Sequence, residues 1–484
     1  MRKKLFLSFV LFSALLLTGC YTTRKSRGGG QIKVIPARTI DTSDILLLPG
    51  YKIEPVAVDL TFPAAVTFDD EGKMYVTETG YSYGEIWKEP KLIRLNADGS
   101  KTTIASGEKN GPWTGVVFHK GYFYLVEGGA LGGGKILRIS KDGKIKVLTE
   151  NLPSMGDHQT NGPAIKDGYI YFGQGTATNS GVVGPDNADF GWLWRKKDFH
   201  DIPCKDIVLN GINYPSDNVL TDDKDDTTLT GPYSAFGEAV VAGQVIKGAV
   251  PCTGSIMRIP LEGGQPELVA WGLRNPYGLA FSEDGKLFIT ENGFDDRGSR
   301  PVWGAGDVLW EITTGMWYGW PDFSEGKPIQ DDEEFKPPGK GKVKPVLQKY
   351  PNDPPKPTAV LGVHSSSNGF DFSTSSKFGF VGEAFIAQFG DMAPTVGDVL
   401  APVGFKIVRV DVKTGVIRDF AVNEGRKNGP ASWLGEGGLE RPLSVQFDPT
   451  GEVLYVVDFG IMRMTEQGPQ PQTNTGVIWK ITKL

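Results

Sequence analysis

Apolar and polar residues alternate along most of this chain in short runs, and nearly every run stops at a glycine-containing turn. Period-two alternation sends successive side chains to opposite faces, so the pattern predicts antiparallel β-strands. The runs are organised into one repeating unit. A strand-like run leads to an Asp-Gly or Lys-Gly turn, a second run ends in small or acidic residues, and a further strand pair follows. Units start at 63–68, 115–118, 162–165, 278–281, 369–372 and 443–447, with second runs at 74–78, 123–127, 169–173, 287–291, 383–387 and 453–458. Phe68, Phe118, Phe281, Phe372 and Phe447 recur just before the turns. A sheet of a few short strands cannot bury its own faces. Six such units in series therefore predict a closed array, an all-β, six-bladed β-propeller. A separate strand-like piece, 53–58, precedes the first unit and is placed to complete the last blade and close the ring.

The period breaks in the third blade, where a long insertion (about 177–253) carries many Asp, Gly and aromatic residues. Its Asp222-Asp223-Lys224-Asp225-Asp226 run lacks the spaced Asp-x-Asp-x-Asp-Gly pattern of a calcium loop and reads as a solvated acidic loop. A second long connection, 325–357, is rich in Pro and Lys. Connections of this length are frequently functional, and these two are placed to overhang a site. Hydrophobic residues make up 39% of the chain, enough for a sizeable core, and 64 Gly with 33 Pro favour turns over long helices. The net charge of −6, without a basic stripe, argues against a nucleic-acid partner.

Residues 1–20 read as a targeting segment: Arg2, Lys3 and Lys4, an apolar run over 5–17, then Leu17-Thr18-Gly19-Cys20. The last four resemble the bacterial lipobox, which implies that Cys20 is lipidated. Residues 21–45 read as a flexible tether and 46–484 as the propeller. The expectation is a domain in the cell envelope, on the periplasmic or outer-membrane face, that meets the membrane through its lipid anchor only. An exported chain permits a disulfide between Cys204 and Cys252. Two free thiols are the alternative.

In a propeller the loops of one face converge on the central channel. Three unit starts are unusual there: Asp157-His158-Gln159, Arg274-Asn275 and Glu440-Arg441. A histidine titrating near neutrality suits proton abstraction from a hydroxyl. A guanidinium stabilises developing negative charge and holds carboxylates. Each feature also has a plainer reading, the Asp-His pair as a solvated turn and the arginines as ion pairs between blades. Glu78, Glu127, Glu291 and Asp458, at the ends of second runs, read as blade-stitching acceptors.

Asp157-His158-Gln159, Gly272-Leu273-Arg274-Asn275-Pro276 and Glu291-Asn292-Gly293 together resemble the soluble glucose/sorbosone dehydrogenases that depend on pyrroloquinoline quinone (PQQ). The stretch 404–410 is similar to the sorbosone-type branch. The resemblance implies His158 as general base with Asp157 as its partner. It implies Arg274, Asn275 and Gln159 at the quinone, and backbone carbonyls of Gly293 and Phe294 on a Ca²⁺. Arg441 and, more loosely, Lys406 would hold cofactor carboxylates; the family's second cofactor arginine aligns with Leu443. The implied activity is oxidation of an aldose or related sugar hydroxyl by hydride transfer to PQQ, assisted by Ca²⁺, with electrons passing to an unknown acceptor. Two other classes stay open: a non-catalytic surface propeller that binds glycan or protein, and a metal-dependent lactonase.

Overall fold

The computed structural model describes residues 37–80, 88–397, 399–425, 428–465 and 468–484. The targeting segment and Cys20 lie outside the described residues. Among the described residues, no helix is long and apolar enough to cross a membrane.

Six antiparallel sheets form the body, five with four strands from the repeating unit and the sixth with three strands of its unit and one from the start of the chain. Their innermost strands are Pro63–Phe68, Trp113–His119, Thr160–Lys166, Asn275–Phe281, Ser367–Phe372 and Pro442–Phe447, one per expected blade. Each packs against the next, and the sixth packs against the first, so the ring is closed. The closing strand is Tyr51–Leu60, which pairs with the C-terminal strand Gly476–Lys483 and sets Ile53 opposite Ile481. Joining the two ends of the chain within one sheet removes the edges that an open array would expose.

The recurring phenylalanines show why the blades stay in register. Phe68 meets Tyr455 of blade six at 5.1 Å, Phe281 meets Tyr171 of blade three at 5.2 Å, and Phe372 meets Phe288 of blade four at 5.4 Å. Phe447 meets Phe378 of blade five edge-on at 4.9 Å. Each fills the gap to the preceding blade, where aromatic area is buried at both faces. The acidic strand ends serve as anchors, Asp458 and Glu127 chiefly within their own blades and Glu78 at the junction with blade six through the Thr61 N–H. Asp458 accepts from the backbone N–H of Glu440 and Arg441 and from the Trp479 indole. Glu127 accepts from the Trp113 indole and the Asn110 amide.

The propeller reaches further toward the N-terminus than residue 46. Ile45–Leu47 adds a fifth strand at the outer edge of blade five, opposite Ala421 to Asn423. Arg38 donates to Asp458 and to the Thr475 carbonyl, both at 2.5 Å. A buried guanidinium paired in this way holds its backbone in place, so the end of the expected tether lies on blade six. Within blade three, the chain leaves after Tyr169–Gln174 and returns at Ser255–Pro260. The excursion holds two short helices, Pro185–Asp189 and Trp192–Arg195, and two strand pairs. Cys204 and Cys252 are joined as a disulfide beside Trp271, Trp317 and Trp320.

Candidate active site

The starts of the inner strands gather on one face of the ring, and a cavity of about 170 Å³ opens among them. Its walls differ. Blades three, four and five contribute His158, Gln159, Arg274, Asn275, Asp295 and His364 among other polar groups; blades five and six also contribute Phe389, Met392, Val396, Leu443, Phe459 and Met462.

His158 is buried, and its environment fixes its chemistry. Nδ1 lies 2.9 Å from Thr176 Oγ1 and 3.1 Å from the Thr176 carbonyl. The Thr176 hydroxyl already donates to the Thr178 carbonyl at 2.7 Å, so it can only accept from the imidazole. Both partners are acceptors, and Nδ1 therefore carries the proton. Nε2 keeps a lone pair and has no protein partner among the described residues, on a ring that lines the cavity. Burial first, then the Arg274 and Arg297 charges, hold the imidazole well below its ordinary pKa, so it is neutral at pH 7. The close approach depends on Gly175, where a Cβ would sit 2.3 Å from the His158 Cβ.

The insertion braces this arrangement. Asp201 accepts from the Ala177 N–H at 2.6 Å and from the Thr178 hydroxyl at 2.6 Å. The adjacent Ile202 exchanges hydrogen bonds with Thr253, next to the disulfide.

Asp157 is not the partner of His158. Its Oδ1 accepts from Asn187 at 2.9 Å. Its Oδ2 lies 2.8 Å from Arg297 Nη1, an ion-pair distance reached off the N–H axis. The two side chains of adjacent residues diverge, and Asp157 turns toward the insertion. Burial pushes its carboxyl up to about 6 against the pull of Arg297, and Asp186 adds to the rise.

Arg297 is the hub of the polar wall. It reaches Asp157 at 2.8 Å, Asp186 at 2.5 Å and Asp295 at 3.0 Å. Asp295 also pairs with Arg274 at 2.7 Å, and His364 Nδ1 lies 3.9 Å from its other oxygen. Arg274 is held further by Asn179 and by the Asn292 carbonyl. These contacts leave a single N–H on Nη1 for a ligand. Asn275 donates to Asn292 and lines the same wall. Gly293 lines it too, while Phe294 is buried beneath, facing Arg274. Gln159 also lines the cavity.

Two expected residues do not. Lys406 begins the third strand of blade five, and its amine pairs with Asp419 on the outer strand at 2.7 Å, outside the cavity lining. Arg441 starts blade six as expected, but its side chain is fully buried between Phe389 and Phe405, 5.0 Å from each ring. Its Nη1 is spent on the Phe389, Gly390 and Asp391 carbonyls, and burial lowers it to about 10. Leu443 lines the cavity instead.

Thr176, Asn179, Asp186, Asp295, Arg297, Asp307 and His364 join the site without being singled out by the repeat or the motifs. Asp295 and Arg297 directly follow Glu291-Asn292-Gly293, and His364 is one of only four histidines, so these three had a signal. The insertion residues had none.

Residues 248–371 match the family described as Glucose / Sorbosone dehydrogenase. That segment contains Arg274, Asn275, Gly293, Asp295, Arg297 and His364, most of the polar wall. No curated protein sequence matches the chain. Among solved structures, the chain is similar to a Carbohydrate-Active Enzymes Family AA12 protein of Trichoderma reesei (TM-score 0.56, 15% identity, 92% of this chain and 99% of that one). It is similar to the holo form of the pyranose dehydrogenase PQQ domain from Coprinopsis cinerea (TM-score 0.54, 14% identity, 90% and 97%). It is also similar to the PQQ-bound form of aldose sugar dehydrogenase from Streptomyces coelicolor (TM-score 0.50, 15% identity, 90% and 97%). These likenesses show the fold, a six-bladed propeller, and tie residues 248–371 to that family's model.

The cavity meets half of what PQQ requires. Arg274, Asn275 and Gly293, which the resemblance assigns to the quinone and the Ca²⁺, line the cavity. The cofactor's three carboxylates find no equivalent bed, because Lys406 and Arg441 face elsewhere and Leu443 is apolar. Arg274 and Arg297 are already balanced by Asp157, Asp186 and Asp295. As built, the site does not fit the tricarboxylate in the way the family pattern implies.

Proposed function

We propose that the protein is a sugar oxidoreductase that removes the elements of hydride from a carbon bearing a hydroxyl. The neutral, Nδ1-protonated His158, with its Nε2 lone pair on the cavity wall, carries this reading. Nε2 takes the hydroxyl proton while the carbon gives two electrons with its hydrogen to a bound two-electron acceptor, leaving a carbonyl. The remaining N–H of Arg274 stabilises negative charge on that side of the cavity. None of the side chains that line the cavity accepts a hydride, so the acceptor is a separate molecule. PQQ with Ca²⁺ is the one the resemblance supplies. No step here rests on it, given the poor fit of its carboxylates. The lipobox-like start adds an expectation that Cys20 anchors the domain in the cell envelope, which detergent partitioning of Cys20→Ala would check.

Two measurements test the reading together. Calorimetric titration of the purified domain with PQQ, with and without Ca²⁺, asks whether the cofactor binds and whether Arg274→Ala weakens it. Dye-linked turnover of aldoses asks whether His158→Ala lowers the rate, by roughly 10²–10⁴-fold for loss of a general base. Turnover unaffected by His158→Ala would end the assignment. Binding of sugar with no turnover under any acceptor would favour the surface-recognition reading, which the apolar Leu443 already supports.

A further inference from the structure

The cavity has a second half that sugar oxidation does not use. Phe389, Met392 and Val396 of blade five and Leu443, Phe459 and Met462 of blade six all line it. They form a packed surface. Phe459 stacks on Phe62 at 5.2 Å and meets Phe389 edge-on at 5.5 Å, and these groups share one cluster with Leu443 and Met462. The cation nearest in sequence to this wall, Arg441, is buried between Phe389 and Phe405 and is not among the residues that line the cavity. Facing it across the cavity are His158, Asn275 and Arg274, with hydrogen-bonding groups suited to a sugar ring. Methionines among aromatic rings make a surface that adapts to varied apolar shapes.

We propose that the cavity binds an uncharged amphiphile: a sugar carrying an apolar substituent, with the ring on the polar wall and the substituent against Leu443, Phe459 and Met462. The inference rests on the sugar-oxidoreductase reading and adds the class of sugar. It also accounts for Leu443. An arginine there would introduce a charge into the bed of the substituent, where desolvation makes an unpaired ion costly.

The experiment is calorimetric titration of the full domain with phenyl β-glucopyranoside, methyl β-glucopyranoside and free glucose. Transferring a phenyl ring from water to an apolar wall predicts that the phenyl glycoside binds at least tenfold tighter than the methyl glycoside, about 25 cal/mol being gained per Å² buried. Met462→Gln and Leu443→Arg should each remove most of that preference. Far-ultraviolet circular dichroism identifies a variant that fails to fold, and the other then decides. Equal affinity for the phenyl and methyl glycosides, or a preference that survives in the folded variant, overturns the proposal and leaves the oxidoreductase reading intact. Failure of all three sugars to bind overturns both.

Discussion

Replacing Arg297 by glutamine tests the electrostatic core of the site. The guanidinium lies within 3.0 Å of three carboxylates, those of Asp157, Asp186 and Asp295, and all four groups are largely buried. After the change Asp295 keeps Arg274 at 2.7 Å and Asp157 keeps the Asn187 amide at 2.9 Å. Asp186 loses its ion pair. Removing one partner of a buried pair typically costs about 3–5 kcal/mol, because the other charge stays desolvated. The loss should depend on pH in a defined direction. Stranded carboxylates have native pKa values raised above the unfolded ones, so the native state binds extra protons between the two. Stability then falls as pH rises, by about 1.4 kcal/mol per pH unit for each such proton. At pH 5 protonation relieves part of the cost; at pH 8 none is relieved. Urea unfolding followed by circular dichroism at both values should show a penalty of roughly 3–5 kcal/mol at pH 8 and clearly less at pH 5. A penalty below about 1 kcal/mol at pH 8, or one equal at both values, would refute the account of Arg297 as the group that holds these carboxylates charged.

Three further outcomes follow from the same geometry. Thr176→Val removes one of two acceptors at His158 Nδ1, a hydrogen bond of about 1 kcal/mol net. It should lower kcat several-fold with KM little changed, and an equal effect on both would deny it a positioning role. Replacing Cys204 and Cys252 together by serine opens a loop with a sequence separation of 48 residues. The chain-entropy model puts the loss near 4 kcal/mol, read as a lower urea midpoint. The unmodified protein should be less stable at pH 8 than at pH 5. Burial raises Asp157 and Asp371 to about 6 and Glu291 and Glu440 to about 7, so the native state holds extra protons between about pH 4 and 7. A midpoint that climbs steadily from pH 5 to 8 would contradict this.

The ring was legible because its signal is repeated and local. Period-two alternation, a turn glycine and a terminal phenylalanine recur in each unit or nearly so, and the physics that reads one copy reads the others. Ring closure by 51–60 was legible for the same reason, as a strand with no partner of its own. The site divided along a different line. His158 and Arg274 could be placed because a position at the start of an inner strand fixes a side chain near the channel. Arg441 occupies that same position and still faces away. Its direction is set by Phe389 and Phe405, which lie at opposite ends of a loop in the preceding blade and close over it, and no pattern around 441 encodes them. Asp157 shows the complementary case. Adjacency to His158 suggested a pair, but the carboxylate answers to Arg297 and to the helix at 185–189, more than a hundred residues apart in sequence. The partner that His158 does have, Thr176, is an ordinary residue type made specific by its own hydrogen bond to Thr178. Position along a repeat therefore predicts which residues reach the channel. What they do there depends on contacts from elements outside the repeat, and here the insertion of blade three supplies Thr178, Asp186, Asn187 and Asp201.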